Sequence, residues 1–125
     1  MNIIIKTTGL ELASEARERI ETKFRALEKH LGEHRDTALL DCEVEESIAA
    51  VRAGARYRAE GNLAVGGKLL RAEAMNDTLE GAVDQVRDEL MRELRKSRGR
   101  ERGLAKRGGA VLKRLLRTTR ALPFF

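Results

Sequence analysis

Apolar residues recur along this chain in two different periods, and the switches between them mark out the elements. Residues 2–7 form a short β-branched run that predicts a first strand, broken at Thr8-Gly9. From residue 13 to about residue 31 the apolar positions Ala16, Ile20, Phe24, Leu27 and Leu31 are spaced 4, 4, 3 and 4 apart, one face of an α-helix. Glu15 and Glu18 in its first turn, and Lys29 and His30 in its last, suit the helix dipole, and Gly32 ends it. Residues 37–46 alternate instead, with Ala38, Leu40, Cys42 and Val44 on one face and Asp41, Glu43 and Glu45 on the other. That pattern predicts a half-buried strand with a polar side. Residues 47–53 connect it to a strand over 55–65 with Tyr57, Ala59 and Leu63 inward. Gly66-Gly67 makes a tight hairpin turn, and residues 68–75 return as a strand with Leu70, Ala72 and Ala74 as its apolar alternation. Asp77 or Thr78 caps a second helix, whose stripe Leu79, Val83, Val86, Leu90 and Leu94 has spacings of 4, 3, 4 and 4. This helix runs to about Arg102. Gly103 and Gly108-Gly109 then punctuate a flexible basic segment, and residues 110–121 predict a short third helix.

The order strand, helix, three strands, helix predicts an α+β fold. A four-stranded sheet with one polar face takes both helices on its other side, a β-α-β-β-β-α two-layer sandwich followed by a basic C-terminal tail with a short helix. Residues 1–102 form the domain and residues 103–125 the extension. A domain of this size holds one core and no deep cleft between lobes. Its core rests on Leu, Ile, Val and Ala, because the chain has three Phe, one Tyr and no Trp. One cysteine, Cys42, has no partner for an internal disulfide, which suits a reducing compartment. The N-terminal residues lack the pattern of a signal peptide, and no apolar run approaches the roughly 20 residues of a membrane span. The expectation is a soluble, cytoplasmic protein.

Charge changes the picture most when divided along the chain. Residues 1–94 carry 14 Lys/Arg and 19 Asp/Glu, whereas residues 95–125 carry 11 Lys/Arg and one acid, Glu101. A net +5 therefore conceals a mildly acidic body with a strongly cationic end, the footprint of a polyanion-binding segment. Its bland alternative is a solvated tail that only aids solubility.

Catalytic patterns are missing. His30 and His34 have no Cys partner at metal-ligand spacing, and no GxGxxG, P-loop or GxSxG pattern occurs. Cys42 falls on the apolar side of its strand and reads as a packed thiol. No enzyme activity, cofactor, metal or small-molecule substrate is expected. The basic residues are the stronger signal. Arg92, Arg95 and Lys96 project together away from the Leu90/Leu94 stripe, and Arg98, Arg100, Arg102, Lys106 and Arg107 continue the run. Lys23, Arg25 and Lys29 flank the buried face of the first helix. If the two helices lie side by side, these groups form one cationic strip. Arginine forks bind phosphate oxygens bidentately, and the scarcity of aromatics argues for backbone and shape recognition in folded RNA over base stacking.

The arrangement resembles a known family. Gly9-Leu10-Glu11-Leu12, then Lys23-Phe24-Arg25-Ala26-Leu27-Glu28-Lys29, the hairpin from Gly66 to Ala74, and Thr78-Leu79-Glu80-Gly81-Ala82-Val83-Asp84 opening a helix that ends Arg92-Glu93-Leu94-Arg95-Lys96 are similar to the ribosome hibernation-promoting and ribosome-associated inhibitor proteins, also called ribosomal subunit interface or sigma-factor modulation proteins. The likeness covers about residues 1–102. It lies in the order of the pieces, since no single motif is diagnostic. It implies a bacterial stress-response factor that sits in the decoding channel of the small ribosomal subunit, held by rRNA phosphates, and silences translation by excluding messenger and transfer RNA. By position it also implies that the rRNA-binding surface maps onto Lys23, Arg25, Lys29, Arg92, Arg95 and Lys96. Two departures stand out: Ala13 replaces a Ser/Thr cap, and Glu80-Gly81 replaces an aromatic-small pair. Some 25 residues after the domain are too few for the dimerising domain of the family's long members, which implies a short-type factor, monomeric when free.

A general structured-RNA-binding module is the rival reading. For the tail, residues 110–125 pair an apolar face with Lys113, Arg114, Arg117 and Arg120. The expectation is that this segment threads along nearby rRNA and folds on contact; an anionic membrane surface is its rival, and docking onto the domain's own core the bland alternative.

Overall fold

The computed structural model describes residues 1–47 and 54–107, and for residues 98–107 only the helical backbone. The connection expected over 47–53 falls largely outside the described residues, and the third helix expected over 110–121 falls wholly outside them. Element order is β1 (Asn2–Thr8), α1 (Ser14–Arg25), two short 3₁₀ turns (Glu28–His30 and Gly32–His34), β2 (Leu39–Glu46), β3 (Tyr57–Val65), β4 (Lys68–Asn76) and α2 (Leu79–Arg107). The four strands form one sheet in the order β1-β2-β3-β4, with β1 parallel to β2 and the other neighbours antiparallel.

Both helices cover one face of the sheet. Ile20, Phe24, Leu27 and Leu31 meet Leu40, Cys42 and Val44 of β2, Ala59, Leu63 and Val65 of β3, and Ala82, Val83, Val86, Leu90 and Leu94 of α2 in a single core. The two-layer α+β architecture expected from the hydrophobic pattern is the one observed. Gly61 lets β3 and α2 approach closely. A Cβ there stands 2.9 Å from Val86 Cγ1 and 3.1 Å from Leu90 Cδ1. At the hairpin, Gly66 (φ 56°) and Gly67 (φ 77°) both take the left-handed backbone that a two-residue turn between antiparallel strands requires.

Two boundaries differ from expectation by more than two residues. The first α-helix ends at Arg25, and the chain continues to His34 in 3₁₀ turns, with Leu27 N–H donating to Phe24 O and His30 N–H to Leu27 O at 3.0 Å. Tightening to three residues per turn keeps Phe24 and Leu27 above the same spot of the core. α2 passes Arg102 and runs through Gly99 and Gly103 to Arg107. Its start is secured by Thr78, whose Oγ1 accepts from the Gly81 N–H at 3.0 Å, while Asn76 Oδ1 accepts from the Thr78 N–H at 3.1 Å. α1 has no such side-chain cap at Ala13. Its first turn is instead tied to β1 by Arg17, whose Nη1 donates to Ile5 O at 3.0 Å.

Among the described residues, nothing covers the other face of the sheet. Register places Lys6, Glu43, Glu60 and Glu73 side by side across all four strands, so three carboxylates are immediate neighbours. Like charges so placed repel. Arg58, two residues before Glu60 on the same face of β3, offsets that repulsion. Its guanidinium lies 3.1 Å from Glu73, 3.4 Å from Glu43 and 3.7 Å from Glu45, and also pairs with Glu60. These bonds push the Arg58 pKa up, with the Glu73 hydrogen bond contributing most.

Candidate nucleic-acid interface

α2 carries a gradient of charge along its length. Near its start, Glu80 and Asp84 face α1, where Arg19 Nε lies 2.8 Å from Glu80 Oε1 and Lys23 Nζ lies 2.7 Å from Asp84 Oδ1. Acids at the N-terminal end and cations at the C-terminal end both suit the helix macrodipole. Beyond Leu90 the sign reverses. Arg92, Arg95 and Lys96 are exposed, on the side of the helix opposite buried Leu90 and Leu94. The same uninterrupted helix then carries Arg98, Arg100, Arg102, Lys106 and Arg107, with Glu101 as its one acid between residues 98 and 107. Those ten residues add about 15 Å of helix past Ser97. Arg95, Arg102 and Lys106 are seven and four positions apart, spacings that return to one side of a helix.

The helices do lie together, as a joint strip requires, but their cations are not equally available. Lys23 is held by Asp84. Arg25 donates to Met1 O at 2.5 Å and to Glu21 Oε1 at 3.0 Å, and its Nη1 lies 3.4 Å from Glu28. Its pKa is raised, chiefly by the Glu21 bond. Lys29 sits on the first 3₁₀ turn, exposed, with no carboxylate paired to it among the described residues. Arg92 and Lys96 make only local pairs, with Glu89 at 3.2 Å and Glu93 at 3.6 Å. Arg95 reaches Met91 Sδ at 3.5 Å and no carboxylate among the described residues. The side chains of Arg98, Arg100, Arg102, Lys106 and Arg107 lie outside the described residues. Among the described side chains, Lys29, Arg92, Arg95 and Lys96 are therefore the predicted cations most open to an external anion.

Sequence reasoning passed over Lys68, which read only as the residue after a glycine turn. Its Nζ donates to Ser97 Oγ at 2.5 Å and helps line a 310 Å³ pocket with His30, Gly32 and His34, beside the basic end of α2. Only the pairing of the hairpin with α2 reveals it. Cys42 is buried, as its place in the alternation required. Burial, reinforced by Asp41, Glu43 and Glu60, pushes its thiol up to about 12, so it stays protonated and unreactive at neutral pH. Among the described residues, no group of three or more His, Cys, Asp or Glu is placed to hold a metal ion. No helix among them is long and apolar enough to cross a membrane.

The family model described as sigma 54 modulation protein / S30EA ribosomal protein matches residues 3–102. The chain belongs to that family. Its fold is similar to the crystal structure of the Thermus thermophilus Protein Y N-terminal domain, at a TM-score of 0.64 and 22% identity over 77% of this chain and 98% of that one. It is also similar to a ribosomal subunit interface protein from Coxiella burnetii, at a TM-score of 0.58 and 19% identity over 76% of this chain and 97% of that one. No curated protein matches the chain. The matched span takes in α1, α2 as far as Arg102, and with it Arg92, Arg95, Lys96, Arg98, Arg100 and Arg102, and ends before Lys106 and Arg107.

Proposed function

We propose that this protein is a ribosome hibernation factor that binds the small subunit in its decoding channel and blocks messenger and transfer RNA there. The observation that carries the reading is the exposed cationic end of α2 on the scaffold of this family. Arg92, Arg95 and Lys96 face solvent together and lead into five further cations on one helix. Membership of a family described as an S30EA ribosomal protein, and likeness to a protein named for the ribosomal subunit interface, support the ribosome as partner.

The mechanism is steric and electrostatic. Arginine forks and lysine ammonium groups of α2 meet rRNA phosphates, and the sandwich fills the volume that the substrates of translation need. Lys29 adds a contact from the 3₁₀ turn. Lys23 and Arg25 join only by exchanging their carboxylate partners, so they contribute less. The protein acts in the cytoplasm, as a monomer when free, with residues 1–102 as the ribosome-binding unit and residues 103–125 as its basic extension. No catalytic step is involved.

Co-sedimentation with ribosomes on a gradient tests the reading. The wild-type chain is expected to travel with small subunits at low salt and to be released steeply as salt rises, since each phosphate contact releases counterions. Replacing Arg92→Glu, Arg95→Glu and Lys96→Glu together should abolish co-migration and leave the circular dichroism spectrum unchanged. Retained co-migration of the triple variant, or equal affinity for free duplex RNA at matched salt, overturns the proposal.

A further inference from the structure

The open face of the sheet has no use in ribosome binding as derived above, yet it is not an ordinary solvated surface. Register and burial together put Asn2, Ile4, Lys6 and Thr8 of β1, Leu39, Asp41, Glu43 and Glu45 of β2, Arg58, Glu60, Asn62 and Ala64 of β3, and Leu69, Arg71, Glu73 and Met75 of β4 on that face. Five carboxylates share it with three cations, Lys6, Arg58 and Arg71, so it remains acidic after internal pairing. It also holds all three exposed large apolar residues among the described residues: Ile4 at 45%, Leu39 at 38% and Met75 at 41% exposure. Acid and apolar groups interleaved on an uncovered sheet ask for a partner that is basic and apolar by turns.

The chain contains such a segment. Residues 108–125 carry Lys113, Arg114, Arg117 and Arg120 and no acid, interspersed with Val111, Leu112, Leu115 and Leu116. They follow Arg107, and the helix that leads to them passes the β3–β4 hairpin, where Lys68 bonds to Ser97. Leu39, Ala64 and Leu69 lie in register at the hairpin end of the open face, the end of the sheet that Ser97 of α2 adjoins through Lys68. Eighteen residues span up to about 60 Å when extended, ample to cross back over about 15 Å of helix and about 10 Å of sheet. A tether of this length also holds the segment at roughly millimolar effective concentration, which lets weak charge pairs suffice.

We propose that residues 108–125 dock on the open, acidic face of the chain's own sheet in the free protein, and that folded RNA competes for the same cations. The tail is then masked until a polyanion of higher charge density displaces it. Short or sparsely charged RNA fails to do so, which sharpens selection for a large rRNA surface. The docking itself does not depend on the ribosome reading, and its test needs no ribosome.

The buried, protonated Cys42 makes that test direct, because a thiol-reactive spin label attaches only to a cysteine introduced at Thr119→Cys. In the full-length labelled protein at low salt, amide resonances of Ile4, Asp41, Glu60, Arg71 and Met75 should broaden at least about fivefold more than those of Arg19 and Asp84 on the helix side. The effect should vanish when Lys113, Arg114, Arg117 and Arg120 are all changed to Glu, and should weaken severalfold in Glu43→Gln/Glu60→Gln/Glu73→Gln. Adding structured RNA should also remove it. Broadening spread equally over both sides, or confined to the helix side, overturns the proposal. So does broadening that arises only between molecules, read by mixing labelled chains with unlabelled isotope-enriched ones, since the occupant is then a second copy.

Discussion

Two single residues govern how the layers meet and how the open face stays together. Gly61 leaves no room for a methyl group between β3 and α2, so Gly61→Ala should cost about 1–3 kcal/mol by overpacking, read as a lower midpoint in urea unfolding with unchanged slope. An unaltered midpoint would mean that Val86 and Leu90 yield freely. Arg58 is the second. Without it, Glu43, Glu60 and Glu73 face one another with only Lys6 and Arg71 nearby, and Arg58→Met should cost about 1–3 kcal/mol at neutral pH. Glu60 is held below its ordinary value of 4.5 by the Asn62 bond, which burial opposes, and by Arg58 and Arg71. A carboxyl lowered by folding stabilises fully above its unfolded value, and that stabilisation is lost as pH falls through the lower folded value. The wild type should therefore weaken on acidification below about pH 4.5, as Glu60 and likewise Glu28 take up protons. The gap between wild type and Arg58→Met should narrow over the same range, because the carboxylates that repel in the variant become neutral. A gap of constant size from about pH 7 to about pH 3 would remove charge from the explanation.

At the scale of elements, the N-termini of the two helices are secured differently. Thr78→Ala removes the only side-chain bond to the Gly81 N–H among the described residues and should cost about 1 kcal/mol, whereas α1, begun by Ala13, has no side-chain cap to lose. Thermal unfolding of Thr78→Ala against Thr78→Ser checks this, since serine keeps the bond and should restore most of the loss. The elements themselves were legible because strands and helices impose different periods on Leu, Ile, Val and Ala. Where α1 would end was not legible, because 3₁₀ turns after Arg25 keep Leu27 and Leu31 buried just as an α-helix would. α2 outran its expected end because Gly99 and Gly103 each cost a helix only about 1 kcal/mol relative to Ala. The cations of the candidate interface were visible in the sequence, but their neutralisation was not. Lys23 and Asp84, like Arg19 and Glu80, are 61 residues apart, and only the packing of α1 against α2 joins them. Arg58 was obscured in the same way, as its carboxylates come from three strands.

For the whole molecule, the uneven division of charge is the property that the ribosome reading and the tail proposal share. A body of net −5 over residues 1–94 and an end of net +10 over residues 95–125 attract one another as well as any outside polyanion. The steep salt dependence expected of ribosome binding therefore has an internal counterpart, since salt that weakens the grip on phosphates also loosens the tail from the sheet. The mixed topology of the sheet has a different consequence, for the order in which the chain takes shape. β3 and β4 pair across a two-residue turn, but β1 pairs with β2 only after the whole of α1 and its 3₁₀ extension has intervened. Short-range closure is fast and long-range closure is slow. During synthesis the first strand leaves the ribosome without a neighbour and waits for one made some thirty residues later. A chain refolding whole from denaturant should therefore zip its β3–β4 hairpin before it seals this amino-terminal edge.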